Sequence, residues 1–185
     1  MAIADYIFKI ILIGDASRSK HAFARRYCSG FFQSNGKSAI GVEYYLKKAI
    51  FKKRVIKLQI WELDIDIRLR SLLAEYCKNA NGVFFIYDIT NIESLDNLAE
   101  WIQLIRENSE DIPILLIGSK LDLYDLREVS YQEGIRTATK YNLAAFLEVS
   151  AKTGENIVKA FEIMIKLLIE GQSENPIEIP SQWNY

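Results

Sequence analysis

Short runs of β-branched and aromatic residues alternate with helix-length amphipathic stretches along almost the whole chain, and this alternation restricts the fold more than any other feature. A strand that is apolar at nearly every position must be covered on both faces, which parallel βαβ units achieve and a half-solvated antiparallel sheet does not. The runs are YIFKIILI (6–13), GVFFIYDI (82–89), IPILLIGS (112–119) and AAFLEVS (144–150). Of the helical stretches, SKHAFARRYCSG ends near Gly30, and NIESLDNLAEWIQLIRENS sets Leu95, Leu98, Ile102 and Ile105 on one face. SYQEGIRTATKYN reads as a further helix, and GENIVKAFEIMIKLLIEG as the closing one. VEYYLKKAIF and RVIKLQIWEL, joined across Lys52 and Lys53, predict a hairpin with one polar face, the antiparallel exception. The predicted order is β α β β α β α β α β α.

With 185 residues, half of them hydrophobic, the chain suffices for one domain with a real core. A net charge of -1 exerts no global pull toward nucleic acid or anionic membrane, so no nucleic-acid partner is expected. Cys28 and Cys77 lack metal-ligand spacing and predict buried thiols in a reducing cytoplasm. MAIADYIFK has no basic region ahead of an apolar core, and no apolar run approaches the roughly 20 residues of a membrane span. IEIPSQWNY holds no cysteine to prenylate, so the expectation is a cytoplasmic protein without a direct lipid anchor. Residues 171–185, with Pro176 and Pro180, read as a short tail after a domain of residues 1–170.

LIGDASRSKHAF (12–23) lies between the first strand and helix, where a phosphate-binding loop would be. Against G-x-x-x-x-G-K-[ST] it supplies Gly14, Ser19 in place of glycine, Lys20, and His21 in place of the hydroxyl. Taken alone, that loop could be a damaged phosphate loop, a different one, or a coincidence. Further along come SAIGVEYY, LQIWELDIDIRLRSL, VFFIYDITNIESLDNLAEWI, LLIGSKLDL and FLEVSAKTGEN. In this order and at these intervals they resemble the Ras-superfamily small GTPases, the Rab branch most closely, over roughly residues 6 to 170.

The resemblance implies an α/β fold, the P-loop G domain: a six-stranded, mostly parallel sheet with one antiparallel strand and about five helices. It implies GTP or GDP bound outside the carboxyl ends of the strands. The base would be held by Lys120 and Asp122 of SKLD and by the backbone of Ser150, Ala151 and Lys152. Asp122 suits guanine because a carboxylate only accepts hydrogen bonds. Ser119 stands where the family has an asparagine that ties neighbouring loops together. The phosphates would meet Lys20 and a nest of backbone amides over Asp15, Ala16, Ser17, Arg18, Ser19, Lys20 and His21.

Departures collect where the family handles magnesium and water. His21 and Ala39 occupy the two positions whose hydroxyls ligate magnesium, a hard ion that prefers oxygen. Weak or absent magnesium use is therefore expected. In WELDIDI, Glu62 keeps a carboxylate for an outer-shell water, Ile65 replaces a glycine, and Asp66 replaces the glutamine that orients attacking water. No catalytic residue is assigned with Asp66 at that position. Glu62, Asp64 and Asp66 at i, i+2 and i+4 could line one face of a strand around a cation, but read more simply as its solvated side. Lys47, Lys48, Lys52, Lys53 and Arg54 read as a solvated, lysine-protected edge.

The functional expectation is a nucleotide-binding regulatory protein with impaired hydrolysis, meeting an effector or regulatory protein through residues 37–46 and 61–76. A nucleotide-free scaffold and a working GTPase with atypical catalytic groups are the alternatives.

Overall fold

The structure, a computed structural model, describes residues 4–32, 41–64 and 70–171. The strands are β1 (Tyr6–Ile13), β2 (Gly41–Phe51), β3 (Arg54–Asp64), β4 (Gly82–Asp88), β5 (Ile114–Ser119) and β6 (Ala145–Glu148). The α-helices among the described residues are α1 (Ser17–Ser29), α2 (Arg70–Cys77), α3 (Leu98–Asn108), α4 (Tyr131–Lys140) and α5 (Ile157–Glu170). They form one sheet in the order β2-β3-β1-β4-β5-β6, parallel throughout except for β2, which runs antiparallel to β3. This is the expected mostly parallel α/β architecture with its single antiparallel strand.

Strand alternation divides the core in two. Phe8, Ile10 and Leu12 of β1 face α1 and α5, while Ile11 and Ile13 face the layer of α2 and α3. On the first face Phe161 of α5 lies against Tyr27, with ring centroids 3.6 Å apart and planes 6° apart, and against Phe23 and Phe84 at 5.0 and 4.9 Å. Lys52 and Lys53 form the two-residue hairpin turn, with φ of 47° and 65°, the left-handed pair that matches the strands' twist.

Three expectations about elements change. The stretch 91–109 is not one helix: Asn91 caps a 3-10 turn at Ile92–Leu95, and α3 starts only at Leu98. The cause is local, because the Ser94 hydroxyl is taken up by Asn91 O at 2.6 Å and Asp88 N at 2.9 Å, backbone groups outside a helical ladder. The strands at 82–89, 112–119 and 144–150 shorten to Gly82–Asp88, Ile114–Ser119 and Ala145–Glu148. Helix α1 begins at Ser17, two residues before the expected start, which shortens the loop after β1 to three residues. Of the cysteines, Cys77 is buried and Cys28 half-buried, and both are free thiols.

Candidate functional site

The loops after β1, β5 and β6 open at the carboxyl ends of the parallel strands, the rim where doubly wound sheets bind ligands. Two clusters form there.

The first joins the loops after β5 and β6. Asp122 Oδ1 accepts a hydrogen bond from Ser150 Oγ at 2.6 Å, and Lys152 Nζ lies 3.8 Å from Oδ2. Ser150 is fully buried, and its Oγ also accepts from Thr153 N at 3.1 Å, so the carboxylate is held by a fixed partner. Lys120 adopts φ 67° at the bend out of β5, a left-handed conformation uncommon for a residue with a Cβ, and its ammonium pairs with Asp88 at the end of β4. Ser119 Oγ donates to Tyr87 O at 2.6 Å, tying β5 to β4. Residues 28 apart in the sequence, Asp122 and Ser150, thus converge in space.

The second cluster surrounds the loop after β1. Gly14 has φ 112°, and a Cβ there would stand 2.3 Å from the carbonyl oxygen of Ile86, so glycine is demanded by the neighbouring strand. The amides of Ser19 and Lys20 donate to Ala16 O at 2.9 and 3.0 Å. Two amides of the expected nest are therefore spent inside the first turn of α1. Lys20 is buried, and its ammonium donates to Gly14 O and lies 3.5 Å from Asp64 Oδ1. Burial pulls its pKa down, with the negative charges of Asp64, Glu62 and Asp15 opposing. Asp15, at the exposed mouth, accepts from Asn97 Nδ2 at 2.6 Å.

His21 extends from α1 toward the β2–β3 hairpin. Its Nδ1 lies 3.2 Å from Glu43 Oε2 and 3.5 Å from Glu62 Oε2. Tyr45 Oη sits among all three, 2.6 Å from Glu43 Oε2, 3.0 Å from Glu62 Oε2 and 3.2 Å from His21 Nδ1. Arg25 Nη1 is 3.5 Å from the other ring nitrogen. Glu62 falls on the face of β3 that carries Ile56, Leu58 and Ile60 and is buried, which corrects its reading as the solvated side of an acidic run. Asp64 turns to Lys20 instead, and Asp66, Ile65 and Ala39 lie outside the described residues, as do parts of 37–46 and 61–76 and all of the tail beyond Gly171. Lys47 is not simply solvated either: it donates to Cys28 O at 3.0 Å.

Sequence reasoning missed Glu43 and Tyr45. Their signal was available: with Lys52 and Lys53 as a two-residue turn, Phe51 pairs with Arg54, and counting back sets Glu43 opposite Glu62.

Burial raises the Glu62 carboxyl to about 7, helped by the charges of Glu43 and Asp64 and opposed by the Tyr45 hydrogen bond and Lys20. A carboxyl whose pKa is higher folded than unfolded binds its proton better in the folded state. Stability therefore falls as pH rises from about 4.5 to about 7, and the whole cost, about 3 kcal/mol at 1.36 kcal/mol per unit, is present above pH 7. In chelator, Glu62→Gln is expected to match the wild type near pH 4.5 and exceed it in urea-unfolding free energy at pH 8. Parallel curves across this range would show that the buried carboxylate is not the cause.

A doubly wound sheet with a strand–glycine–helix loop and a converging pair of motif loops at its rim has the architecture of a small GTPase domain. The Ras family model matches residues 9–170. Rab-8B of Homo sapiens is 37% identical over 169 residues, covering 88% of this chain and 81% of its own. The GTP-binding protein ypt3 of Schizosaccharomyces pombe is 35% identical over 175 residues, covering 94% and 81%. Rab-19 of Xenopus laevis is 33% identical over 166 residues, covering 89% and 78%. The chain belongs to the Ras family and is a Rab-like small GTPase.

Members of this family bind guanine nucleotide, usually with magnesium, and regulatory or effector proteins. The loops after β5 and β6 present an acceptor-only carboxylate at the rim, held by Ser150, a chemistry that suits the donors of a guanine. Where the resemblance places a magnesium-ligating hydroxyl, this chain has an imidazole lodged between two carboxylates and a phenol, whereas magnesium prefers oxygen ligands. Among the described residues, no helix is long and apolar enough to cross a membrane.

Proposed function

We propose that this Rab-like protein holds GDP or GTP chiefly by its base and regulates partners with little or no magnesium-dependent hydrolysis. The single observation behind this reading is the contrast between the two clusters. Asp122 is held ready by Ser150, whereas His21 stands among Glu43, Tyr45 and Glu62 where the family has an oxygen ligand. Asp122 would accept from the guanine ring N–H and amine, Lys120 would lie beside the base, and the amides of Ser150, Ala151 and Lys152 would meet the carbonyl oxygen. Lys20 would supply the charge for the phosphates. Asp66 at the glutamine position would repel a nucleophile-orienting role rather than fill it, since a carboxylate cannot donate to water's lone pair. Residues 37–46 and 61–76 are the surface we assign to an effector or regulatory protein, met in the cytoplasm.

The decisive experiment is to denature freshly purified full-length protein and chromatograph what is released, then to titrate fluorescent GDP with and without magnesium. One guanine nucleotide per chain, or GDP binding that changes less than about threefold on removing magnesium, is the expected result. A large magnesium dependence, or single-turnover phosphate release above the uncatalysed rate, would refute the impaired-magnesium reading.

A nucleotide-free scaffold is the second reading, and the loop after β1 favours it. Ser19 and Lys20 amides bond Ala16, and the Lys20 ammonium is already engaged by Gly14 and Asp64. An empty protein that also fails to bind GDP in either condition selects it.

A further inference from the structure

The cluster around His21 has a ligand chemistry of its own. His21, Glu43 and Glu62 each present one ligand atom, all within 4.8 Å of one another. They come from three elements, α1, β2 and β3, so the arrangement is tertiary and not a local acidic run. Glu43 and Glu62 are directly opposed across the antiparallel pair, which places two carboxylates together at a cost unless something positive lies between them.

The hydrogen-bond inventory is short of donors. Tyr45 has one hydroxyl proton, yet its oxygen lies within hydrogen-bond distance of carboxylate oxygens on both Glu43 and Glu62. Glu62 is 1% exposed, its carboxylate is directed into the cluster through Oε2, and its Oε1 is buried with no hydrogen-bond partner among the described residues. A buried carboxylate oxygen in that condition calls for a cation or a donor.

Distances point the same way. Ligands about 2.1 Å from a tetrahedral ion stand about 3.4 Å apart. The Nδ1 of His21 is 3.2 Å from one carboxylate oxygen and 3.5 Å from the other, whereas Tyr45 Oη, at 2.6 to 3.2 Å from all three atoms, sits at hydrogen-bond distances among them and moves outward when an ion enters.

We propose that His21, Glu43 and Glu62 form a transition-metal site of the zinc class, filled without nucleotide, with Tyr45 as fourth neighbour. One imidazole and two carboxylates suit zinc, whereas magnesium retains its waters and prefers an all-oxygen octahedron. To ligate, the imidazole presents an unprotonated Nδ1 and carries its proton on Nε2, so the half-buried Arg25, 3.5 Å from Nε2, swings aside. The bound ion would clamp the β2–β3 hairpin to the start of α1. Filled without nucleotide, it would be a standing structural tie.

The test uses the full-length chain, stripped with chelator and free of nucleotide, titrated with zinc in competition with a chromophoric chelator. We expect one zinc per chain, magnesium at least about 10³-fold weaker, tetrahedral visible bands on cobalt substitution, and a thermal midpoint raised about 5–10 °C by excess zinc. Glu43→Gln is expected to weaken zinc at least about 100-fold while leaving the metal-free circular dichroism unchanged. Glu43 is a partly exposed strand residue, so this variant carries the test even where His21→Ala fails to fold. No saturable zinc binding, magnesium binding as tightly as zinc, or wild-type affinity in Glu43→Gln, as a site at Cys28 would give, each overturns the proposal. GDP binding is measured separately, so its failure bears on the nucleotide reading alone.

Discussion

Asp122→Ala is expected to lower GDP affinity by about 10²–10⁴-fold. Two hydrogen bonds to a charged acceptor are lost, each contributing about 1.5–3 kcal/mol, and about 1.4 kcal/mol is tenfold in affinity. Asp122 is held by a 2.6 Å hydrogen bond from fully buried Ser150, so little ordering is required when a base arrives. The same arrangement predicts discrimination: the wild type should reject ADP, because adenine turns an acceptor toward the carboxylate where guanine turns a donor. Equilibrium titration with fluorescent GDP and ADP, in wild type and variant, checks both. Unchanged GDP affinity in Asp122→Ala would remove the base loop from the binding site.

Phe161→Ala should cost about 3–5 kcal/mol and lower the thermal midpoint by roughly 10–15 °C. Phe161 is fully buried and touches aromatic rings from α1 and β4 at once, so neither a helix shift nor a rotamer change can refill the space. Its loss unpins α5 from α1, the helix that carries Lys20 and His21. Urea unfolding followed by circular dichroism gives the free energy directly. A loss below about 1 kcal/mol would mean that the stack is dispensable and that α5 is held by other contacts.

Much of the fold is legible from periodicity. The two-faced burial of β1, β4 and β5 follows from runs in which odd and even positions are equally apolar. The hairpin follows from alternation and two lysines at its turn. Boundaries were less legible where side chains compete for the backbone, as Ser94 does within 91–109. The motifs that hold Asp122 and Ser150 were legible from their spacing, and the structure brings these two residues into contact.

The phosphate and metal side was legible only as loss. His21, Ala39, Ile65 and Asp66 stand where the family has hydroxyls, a glycine and a glutamine, and local sequence contains nothing that says what they do instead. Alternation placed Glu62 with Asp64 and Asp66 on a solvated face, and the sheet reverses this: β3 lies between β2 and β1, so the face carrying Glu62 is covered by α1. An inward carboxylate then meets whatever the covering helix presents, which is His21.

The class of fold, the order of its elements and the family could be read from the sequence alone, because periodicity and short motifs act through neighbours along the chain. Only tertiary structure decided that Lys20 turns to Asp64, that two amides of the phosphate loop close onto Ala16, and that His21, Glu43, Tyr45 and Glu62 meet. Those contacts depend on sheet register and on the height at which α1 crosses it, quantities set by packing across the whole core.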